Sequence, residues 1–265
     1  MLRQALASVL VLLLSASTGA FAQTGSAHYI WRPVRPDGVV RPWAVLLPGS
    51  GGLAIFDDDE HYFRAALWLN GQGLDALVVD YHGAAPYVPA AREGAPGDRL
   101  AAIVADALQV QRAEGRIPPQ CPGAVIGWSL GASGALTLAA SDSRDAALKA
   151  AAVFYPAVVR ARDYRNALPV LVLQGAADNL MPEDELRAFV AGRAGGAPIE
   201  IVALEGAAHG FDVPSLVPPR ELRSPPLTGR PRTFAYNAEA TLAARQALER
   251  FLKDQGIAGA ACAGG

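Results

Sequence analysis

The pattern that most directly predicts chemistry surrounds Ser129. Residues 127–131 read G-W-S-L-G and match G-x-S-x-G. An apolar strand is predicted to end at Gly127, and an Ala- and Leu-rich helix is predicted to begin just after the serine. A nucleophile elbow needs this strand-to-helix turn, because a strained backbone there projects the serine hydroxyl above the sheet. The pattern predicts a serine nucleophile; the alternative is a tight turn in which Ser129 is only the helix N-cap.

A serine hydroxyl is a poor nucleophile unless a base removes its proton, so a histidine must lie nearby. The chain offers four candidates: His28, His61, His82 and His209. Only His209, in a Gly- and Ala-rich segment after the last predicted strand, fits the chain order Ser, acid, His that accompanies such an elbow. We therefore predict that His209 is the base.

The imidazole needs an acid that fixes its tautomer and stabilises its charged form. Asp178 directly follows an apolar strand and precedes a helix, which places its carboxylate at the same sheet edge as Ser129. The alternative is an ordinary turn residue, since aspartate favours turns. Asp80, at the end of another strand, is the reserve candidate, and Asp212 is too close to His209 in sequence to be the first choice.

Acyl transfer creates an oxyanion that needs preorganised hydrogen-bond donors. The N–H of Leu130, at the start of a helix, is predicted to be one. The second is expected in the loop at residues 48–53, P-G-S-G-G-L, whose glycines permit close backbone approach. We place this donor at Ser50, with Gly51 and Gly52 as alternatives.

Strands and helices alternate along the chain. Strands are predicted at 44–47, 74–80, 124–127, 150–155, 170–174 and 199–204. Helices are predicted at 58–69, 99–112, 130–140, 183–193 and 235–252. Several strands are apolar at nearly every position, which is typical of a mostly parallel sheet covered by helices on both faces.

Three further segments carry structural expectations. Residues 29–34 and 39–40 could add an edge hairpin around the turn at 36–38. Two long irregular loops are predicted: residues 83–97, which are rich in Ala, Pro and Gly, and residues 213–233, which are rich in Pro. Both follow the carboxyl ends of strands, where open α/β sheets bind ligands.

Composition excludes several other classes of protein. The chain has 265 residues, of which 51% are hydrophobic and 18% charged, and its net charge is -2. The chain has 23 basic and 25 acidic residues, so it lacks the excess of positive charge that would bind nucleic acid or an anionic membrane. The acidic run at 57–60 could bind calcium, but it lacks EF-hand spacing, and carboxylates also favour a helix start. We predict no metal and no cofactor.

The first 22 residues have the layout of a secretory signal peptide. A short positive start precedes an apolar run at 5–14 and the A-F-A sequence at 20–22. The alternative is an uncleaved anchor, but the run is well short of the roughly 20 residues needed to span a bilayer. We predict a mature chain from Gln23, a periplasmic or extracellular location and no membrane span after the leader. In an oxidising compartment Cys121 and Cys262 are either bridged or two free thiols.

The chain resembles the dienelactone hydrolase family of α/β-hydrolases. The resemblance rests on five motifs: P-G-S-G-G-L at 48–53, G-W-S-L-G at 127–131, A-V-F-Y-P at 152–156, G-A-A-D at 175–178 and A-H-G-F-D at 208–212. It implies one three-layer α/β-hydrolase domain at 23–265, with a mostly parallel sheet of about seven to eight strands. It also implies Ser129, His209 and Asp178 as the catalytic residues, and Ser50 and Leu130 as the oxyanion donors.

Two departures from the family pattern refine this expectation. Members that open dienelactones carry cysteine at the nucleophile position, so Ser129 favours a general serine esterase. Many relatives begin the oxyanion loop with His-Gly, whereas this chain has Pro48-Gly49. The implied topology places both cysteines at the pole opposite the active site, which predicts a Cys121–Cys262 bridge.

We therefore predict an exported serine hydrolase that cleaves small esters or lactones. Residues expected to line its pocket are Tyr81, His82, Tyr87 and Trp128, although packing in the core would explain these aromatic side chains equally well. The alternatives are a small-substrate peptidase or thioesterase with the same three residues, and a catalytically silent binding protein that keeps the fold.

Overall fold

The computed structural model describes residues 25–142, 144–156, 163–223, 231–260 and 262. The strands are β1 (Tyr29–Arg32), β2 (Trp43–Leu47), β3 (Asp75–Val79), β4 (Gly123–Trp128), β5 (Leu148–Phe154), β6 (Val170–Gly175), β7 (Ile199–Leu204), β8 (Arg220–Arg223) and β9 (Pro231–Phe234). The helices are α1 (His61–Gly71), α2 (Tyr81–Ala84), α3 (Pro96–Ala113), α4 (Leu130–Ala140), α5 (Glu183–Ala191) and α6 (Ala238–Asp254). The predicted leader lies outside the described residues.

Seven strands form one sheet in the order β1-β3-β2-β4-β5-β6-β7. β1 runs antiparallel to β3, and the other neighbouring pairs are parallel. The predicted mostly parallel sheet of seven to eight strands is confirmed, and the bounds of α4 and β7 match the prediction.

Helices cover both faces of this sheet. α1 and α6 cover one face, where Leu69 and Phe251 share an apolar cluster with Ile126. α3, α4 and α5 cover the other, where Ile103 shares a cluster with Val125. Because side chains alternate between the two faces along a strand, β2 and β4 are buried at every position. The three-layer architecture is confirmed.

The predicted edge hairpin is wrong. Only β1 forms, and it pairs with β3 from Tyr29 opposite Val79 to Arg32 opposite Ala76. Residues 39–40 are not in a strand. The free edge of β3 offers β1 a longer ladder than a two-residue strand could provide.

The two predicted loops are partly ordered into regular structure. The 213–233 segment contains β8 and β9, which pair as a small antiparallel sheet. A proline at the first position of β9 is compatible with an edge strand, because it removes no ladder hydrogen bond that a neighbour needs. The 83–97 segment contains the end of α2 and the start of α3.

A disulfide joins Cys121 to Cys262, with their Cα atoms 4.9 Å apart. Cys121 precedes β4, whose far end carries Ser129. A six-residue strand is roughly 20 Å long, so the bridge lies at the edge of the sheet away from Ser129. No helix within the described ranges is both long and apolar enough to cross a bilayer.

Candidate active site

Ser129 occupies the turn between β4 and α4 in a strained conformation. Its φ is 49° and its ψ is -111°, a region that non-glycine residues rarely adopt. Its N–H donates to the carbonyl of Phe154 at 3.0 Å, which ties the turn to the neighbouring strand. A Cβ on Gly127 would collide with the Gly131 carbonyl, and one on Gly131 would collide with the Leu47 carbonyl. The G-x-S-x-G spacing therefore allows strand, turn and helix to approach this closely.

The three predicted side chains meet above the carboxyl ends of β4, β6 and β7. The Nε2 atom of His209 lies 3.1 Å from Ser129 Oγ, and its Nδ1 atom lies 2.8 Å from Asp178 Oδ2. The imidazole and the carboxylate are almost completely buried, whereas Ser129 is partly exposed. This network assigns the Nδ1 proton to the aspartate side and leaves Nε2 free to accept the serine proton.

The carboxylate of Asp178 is held by its own turn. Its Oδ1 atom accepts hydrogen bonds from the N–H groups of Leu180 at 2.8 Å and Met181 at 3.1 Å. The side-chain amide of Gln174 donates to Oδ2 at 3.3 Å. Both interpretations of Asp178 therefore apply: the aspartate organises a turn, and its second oxygen contacts the imidazole.

Backbone hydrogen bonds connect the loops that carry the acid and the histidine. The N–H of Ala177 donates to the Ala207 carbonyl at 2.9 Å, and that of Ala235, just after β9, donates to the His209 carbonyl at 3.3 Å. The rings of Tyr155 and Phe234 pack against the imidazole, with centroid distances of 4.5 and 5.4 Å. The small β8–β9 sheet thus supports the histidine.

Behind the imidazole lies a buried polar cluster around Asp212. Its carboxylate accepts hydrogen bonds from the Tyr155 hydroxyl at 2.6 Å and the Trp128 indole N–H at 2.8 Å. Burial, and then the charge of Asp212, raise the pKa of Tyr155 well above its usual value, so the phenol stays protonated. The sequence analysis considered Asp212 only as a catalytic acid and missed this role. The available signal was that Asp212 lies three residues after His209, in the H-G-F-D motif.

The loop after β2 is clamped by two tyrosines. The N–H of Gly49 donates to the Tyr62 hydroxyl, and the Tyr81 hydroxyl donates to the Gly49 carbonyl, each at 2.8 Å. The Gly52 N–H donates to the Gly49 carbonyl and is thereby occupied. Within the described part of the chain the N–H groups of Ser50, Gly51 and Leu130 have no acceptor, so the prediction of Leu130 and Ser50 as donors stays open, with Gly51 as the alternative to Ser50.

The predicted pocket-lining residues divide into two groups. Tyr81 and Trp128 are buried, at 6% and 2% exposure. The Tyr81 hydroxyl donates to the Gly49 carbonyl, and the Trp128 indole N–H donates to Asp212. The hydrogen bonds of both side chains support the site from within the core, and their contact with substrate stays a prediction. His82 and Tyr87 are exposed, and His82 Nε2 lies 3.2 Å from the Ser50 carbonyl oxygen in the loop after β2.

The remaining candidates have other partners. The reserve acid Asp80 bonds to His28 at 2.9 Å and caps α2. It is therefore not part of the hydrogen-bonded chain of Ser129, His209 and Asp178, which we call the serine relay. In the acidic run, Asp57 pairs with Arg220 and Asp58 pairs with Arg64. Across the described residues no group of three His, Cys, Asp or Glu side chains could hold a metal ion.

Together, the parallel sheet, the strained serine turn and the chain order serine, aspartate, histidine define an α/β hydrolase. A model of the dienelactone hydrolase family matches residues 95–256, more than half of the chain. The protein belongs to this family. No curated protein matches it in sequence.

Solved structures of other hydrolases share the fold. A dienelactone hydrolase-like promiscuous phosphotriesterase from metagenomic libraries is 24% identical, with a TM-score of 0.60, and the match covers 82% of this chain and 87% of that one. An esterase from Thermogutta terrifontis is 19% identical, with a TM-score of 0.60 and coverage of 87% and 90%. Est1E from Butyrivibrio proteoclasticus is 15% identical, with a TM-score of 0.57 and coverage of 86% and 93%.

Proposed function

We propose that this protein is a serine esterase or lactonase that cleaves small substrates through an acyl-enzyme on Ser129. The observation that carries the proposal is the continuous hydrogen-bonded chain from Ser129 through His209 to Asp178, with the serine partly exposed on a strained turn. Hydroxyl, imidazole and carboxylate in this order are the groups that nucleophilic acyl transfer requires.

Acylation uses each of these groups in turn. As Ser129 Oγ bonds to the ester carbonyl carbon, His209 Nε2 takes its proton and the carbonyl electrons move to oxygen. The N–H groups of Leu130 and Ser50 stabilise this oxyanion, and Asp178 stabilises the imidazolium. Collapse of the intermediate breaks the bond to the alkoxy group, which leaves with the proton from His209. In a lactone the alcohol stays attached to the acyl chain.

Deacylation repeats these steps with water. His209 removes a proton from the water as its oxygen bonds to the acyl carbon, and the second oxyanion occupies the same two donors. The bond to Ser129 Oγ then breaks, and the serine recovers its proton from the imidazolium. These steps use the three side chains, the two backbone donors and one water molecule.

Replacement of the nucleophile tests the assignment. Ser129→Ala should abolish covalent labelling by a fluorophosphonate and lower the hydrolysis of p-nitrophenyl acetate to the background rate. Ser215→Ala is the matched control, because the Ser215 hydroxyl is buried without a hydrogen-bond partner among the described residues and lies outside the relay. Labelling of Ser129→Ala at the wild-type rate would refute the proposal.

The substrate class is tested with matched compounds. Purified mature protein is assayed on an ester, a lactone, a thioester and an amide that share one acyl group. An esterase or lactonase should give kcat/KM values far higher for the oxygen esters than for the amide. A preference for the thioester or amide would favour the thioesterase or peptidase alternative, and turnover of none would favour a binding protein.

We also propose that the protein is exported and that the leader is removed before Gln23. The composition of residues 1–22 supports this proposal, and so does the Cys121–Cys262 disulfide, since such bonds persist in oxidising compartments. Cell fractionation and N-terminal sequencing of the recovered protein test it. A cytoplasmic protein that still begins at Met1 would contradict export.

A further inference from the structure

A cavity of about 240 Å³ lies between α1 and α6 on the sheet face away from α4. Trp128 and Phe154 contribute to its lining from the sheet, and Trp68 and Arg245 from the two helices. Ser129, Asp178 and His209 are not among its lining residues. The cavity is therefore separate from the serine relay, although Trp128 is the neighbour of Ser129 in the chain.

The walls of this cavity are suited to a flat ring. Trp128 and Phe154 stack with their centroids 5.0 Å apart, and Trp68 and Tyr236 also line the space. Aromatic rings pack favourably against other rings in stacked or edge-on arrangements. An apolar cavity of about 150 Å³ binds benzene. The volume here therefore accommodates one ring with small substituents.

A cation lines the cavity without an acidic partner. The guanidinium of half-exposed Arg245 lies 5.9 Å from the Trp68 ring centroid, and no acid pairs with it among the described residues. Arg64 also lines the cavity but is paired with Asp58. Arg245 is thus placed to bind a ligand carboxylate at the partly exposed side of the cavity.

The buried side of the cavity holds an unsatisfied polar group. His61 is 5% exposed, and its Nε2 atom has no hydrogen-bond partner among the described residues. Asp212 Oδ2 lies 3.5 Å from it, but that carboxylate already accepts from Trp128 and Tyr155. Burial lowers the pKa of the imidazole, so His61 is neutral near pH 7 and can bond to a ligand hydroxyl.

We propose that this cavity is a binding site for a hydroxylated single-ring aromatic carboxylate. The ring packs between Trp68 and the Trp128–Phe154 pair, the carboxylate pairs with Arg245, and the hydroxyl bonds to His61 Nε2. The proposal does not depend on Ser129 being a nucleophile, because no step of binding uses the relay.

Calorimetric titration of the Ser129→Ala protein tests the site without turnover. The probe is 4-hydroxybenzoate; 4-hydroxybenzamide removes the charge, and benzoate removes the hydroxyl. We expect saturable binding of one equivalent of 4-hydroxybenzoate, and weaker binding of both analogues. A charge-assisted pair corresponds to roughly a 10- to 100-fold change in affinity, so the amide should lose about that factor.

Variants locate the ligand. Arg245→Gln should weaken 4-hydroxybenzoate binding roughly 10- to 100-fold and remove the preference over the amide. Arg250→Gln is the matched control, because Arg250 is exposed on the same helix and does not line the cavity. Ala65→Phe, which fills the cavity, should abolish binding, and circular dichroism and the melting temperature check that each variant folds.

Several outcomes would overturn the proposal. These are the absence of saturable binding, equal losses in Arg245→Gln and Arg250→Gln, and full binding in a folded Ala65→Phe protein. His61→Phe provides an independent check: it should remove the preference for 4-hydroxybenzoate over benzoate, and an unchanged preference would contradict the assigned orientation. If the wild type proved to have no esterase activity, these binding results would still stand. The two proposals can therefore fail independently.

Discussion

The imidazole of His209 is constrained at both of its nitrogens. Nδ1 contacts a buried carboxylate at 2.8 Å, and Nε2 contacts the serine hydroxyl at 3.1 Å. The carboxylate in turn accepts two backbone hydrogen bonds on its other oxygen. Because each group is oriented by the next, the contribution of one member depends on the presence of the others.

Replacement of Asp178 by asparagine keeps the size of the side chain but removes its charge. We expect Asp178→Asn to lower kcat by roughly ten-thousandfold, because the imidazole loses both the tautomer it needs and the stabilisation of its charged form. Steady-state ester hydrolysis measures the effect. Asp80→Asn is the control, because Asp80 pairs with His28 instead; similar losses in both variants would contradict the assignment of the acid.

Asp212 positions the histidine through Tyr155. In Asp212→Asn the neutral amide offers one acceptor oxygen and one NH2 donor, so either the Tyr155 hydroxyl or the Trp128 N–H is left without an acceptor. We expect the free energy of unfolding to fall by about 1–3 kcal/mol. Because the Tyr155 ring supports His209, kcat should fall roughly ten- to hundredfold while KM changes little. Urea unfolding and ester kinetics measure these effects, and unchanged kcat in both Asp212→Asn and Tyr155→Phe would exclude the positioning role.

The turn between β4 and α4 depends on close approach of backbone to backbone. The Leu47 carbonyl oxygen of β2 lies 2.1 Å from the position that a Cβ of Gly131 would take, and neither main chain can move without disturbing the sheet. Two elements that are distant in sequence thus converge at the serine. The turn that carries Ser129 is thus held against β2, the strand that precedes the 48–53 loop.

Gly131→Ala should therefore destabilise the protein by about 3 kcal/mol, since overpacking against a rigid backbone cannot be relieved by a rotamer change. Gly71→Ala is the matched control, because a Cβ at Gly71, the last residue of α1, would meet no atom within 4 Å. Urea unfolding measures both variants. Equal stability of the two would show that the strand–helix approach is looser than we infer.

Across the whole chain, the disulfide links the segment before β4 to the tail that follows α6. It closes a loop with a sequence separation of 141 residues. Cys262→Ser removes the bridge while leaving buried Cys121 in place. We expect the free energy of unfolding to fall by about 2–5 kcal/mol, because the cross-link restricts the unfolded chain.

Activity at 25 °C should persist in Cys262→Ser, because the bridge lies far from the serine. The wild type in the presence of a reductant should unfold at the same urea concentration as the variant in its absence. Loss of kcat in a protein that is still folded would contradict the separation of the bridge from the active site.

We expect buried phenols to lower the free energy of unfolding at alkaline pH. Burial raises the pKa of Tyr81 to about 12, and that of Tyr155 rises well above its usual range. An unfolded tyrosine releases its proton near pH 10, so between pH 10 and the folded pKa the unfolded state has lost protons that the folded state retains. Each such phenol should lower the free energy of unfolding by roughly 1.4 kcal/mol per pH unit in that window.

Urea unfolding between pH 9 and 11 measures this slope, and tyrosinate absorbance reports ionisation. Tyr81→Phe should give a shallower slope than the wild type. Equal slopes in the variant and the wild type would contradict the effect of burial.

Much of the fold and the core of the site could be predicted from local patterns. Apolar strand runs and the helix that follows Ser129 are short-range signals, and the carboxyl ends of parallel strands must share one edge. That geometry brings Ser129, Asp178 and His209 together once their strands are recognised. The start of a helix was predicted less well where a capping side chain determines it. The last helix was predicted from residue 235, but α6 begins after Asn237, whose side chain accepts the Ala240 N–H.

The contacts that support the site could not be predicted in this way. The pairing of β1 with β3, the β8–β9 sheet, the tyrosine clamp on Gly49 and the Asp212 cluster all join residues without a local pattern. Backbone propensity and side-chain periodicity act over a few residues. A sequence motif can therefore predict which side chains stand at the end of a given strand. Which side chains are buried together, and which donors meet which acceptors, depends on packing among distant segments, so these features became visible only in the folded chain.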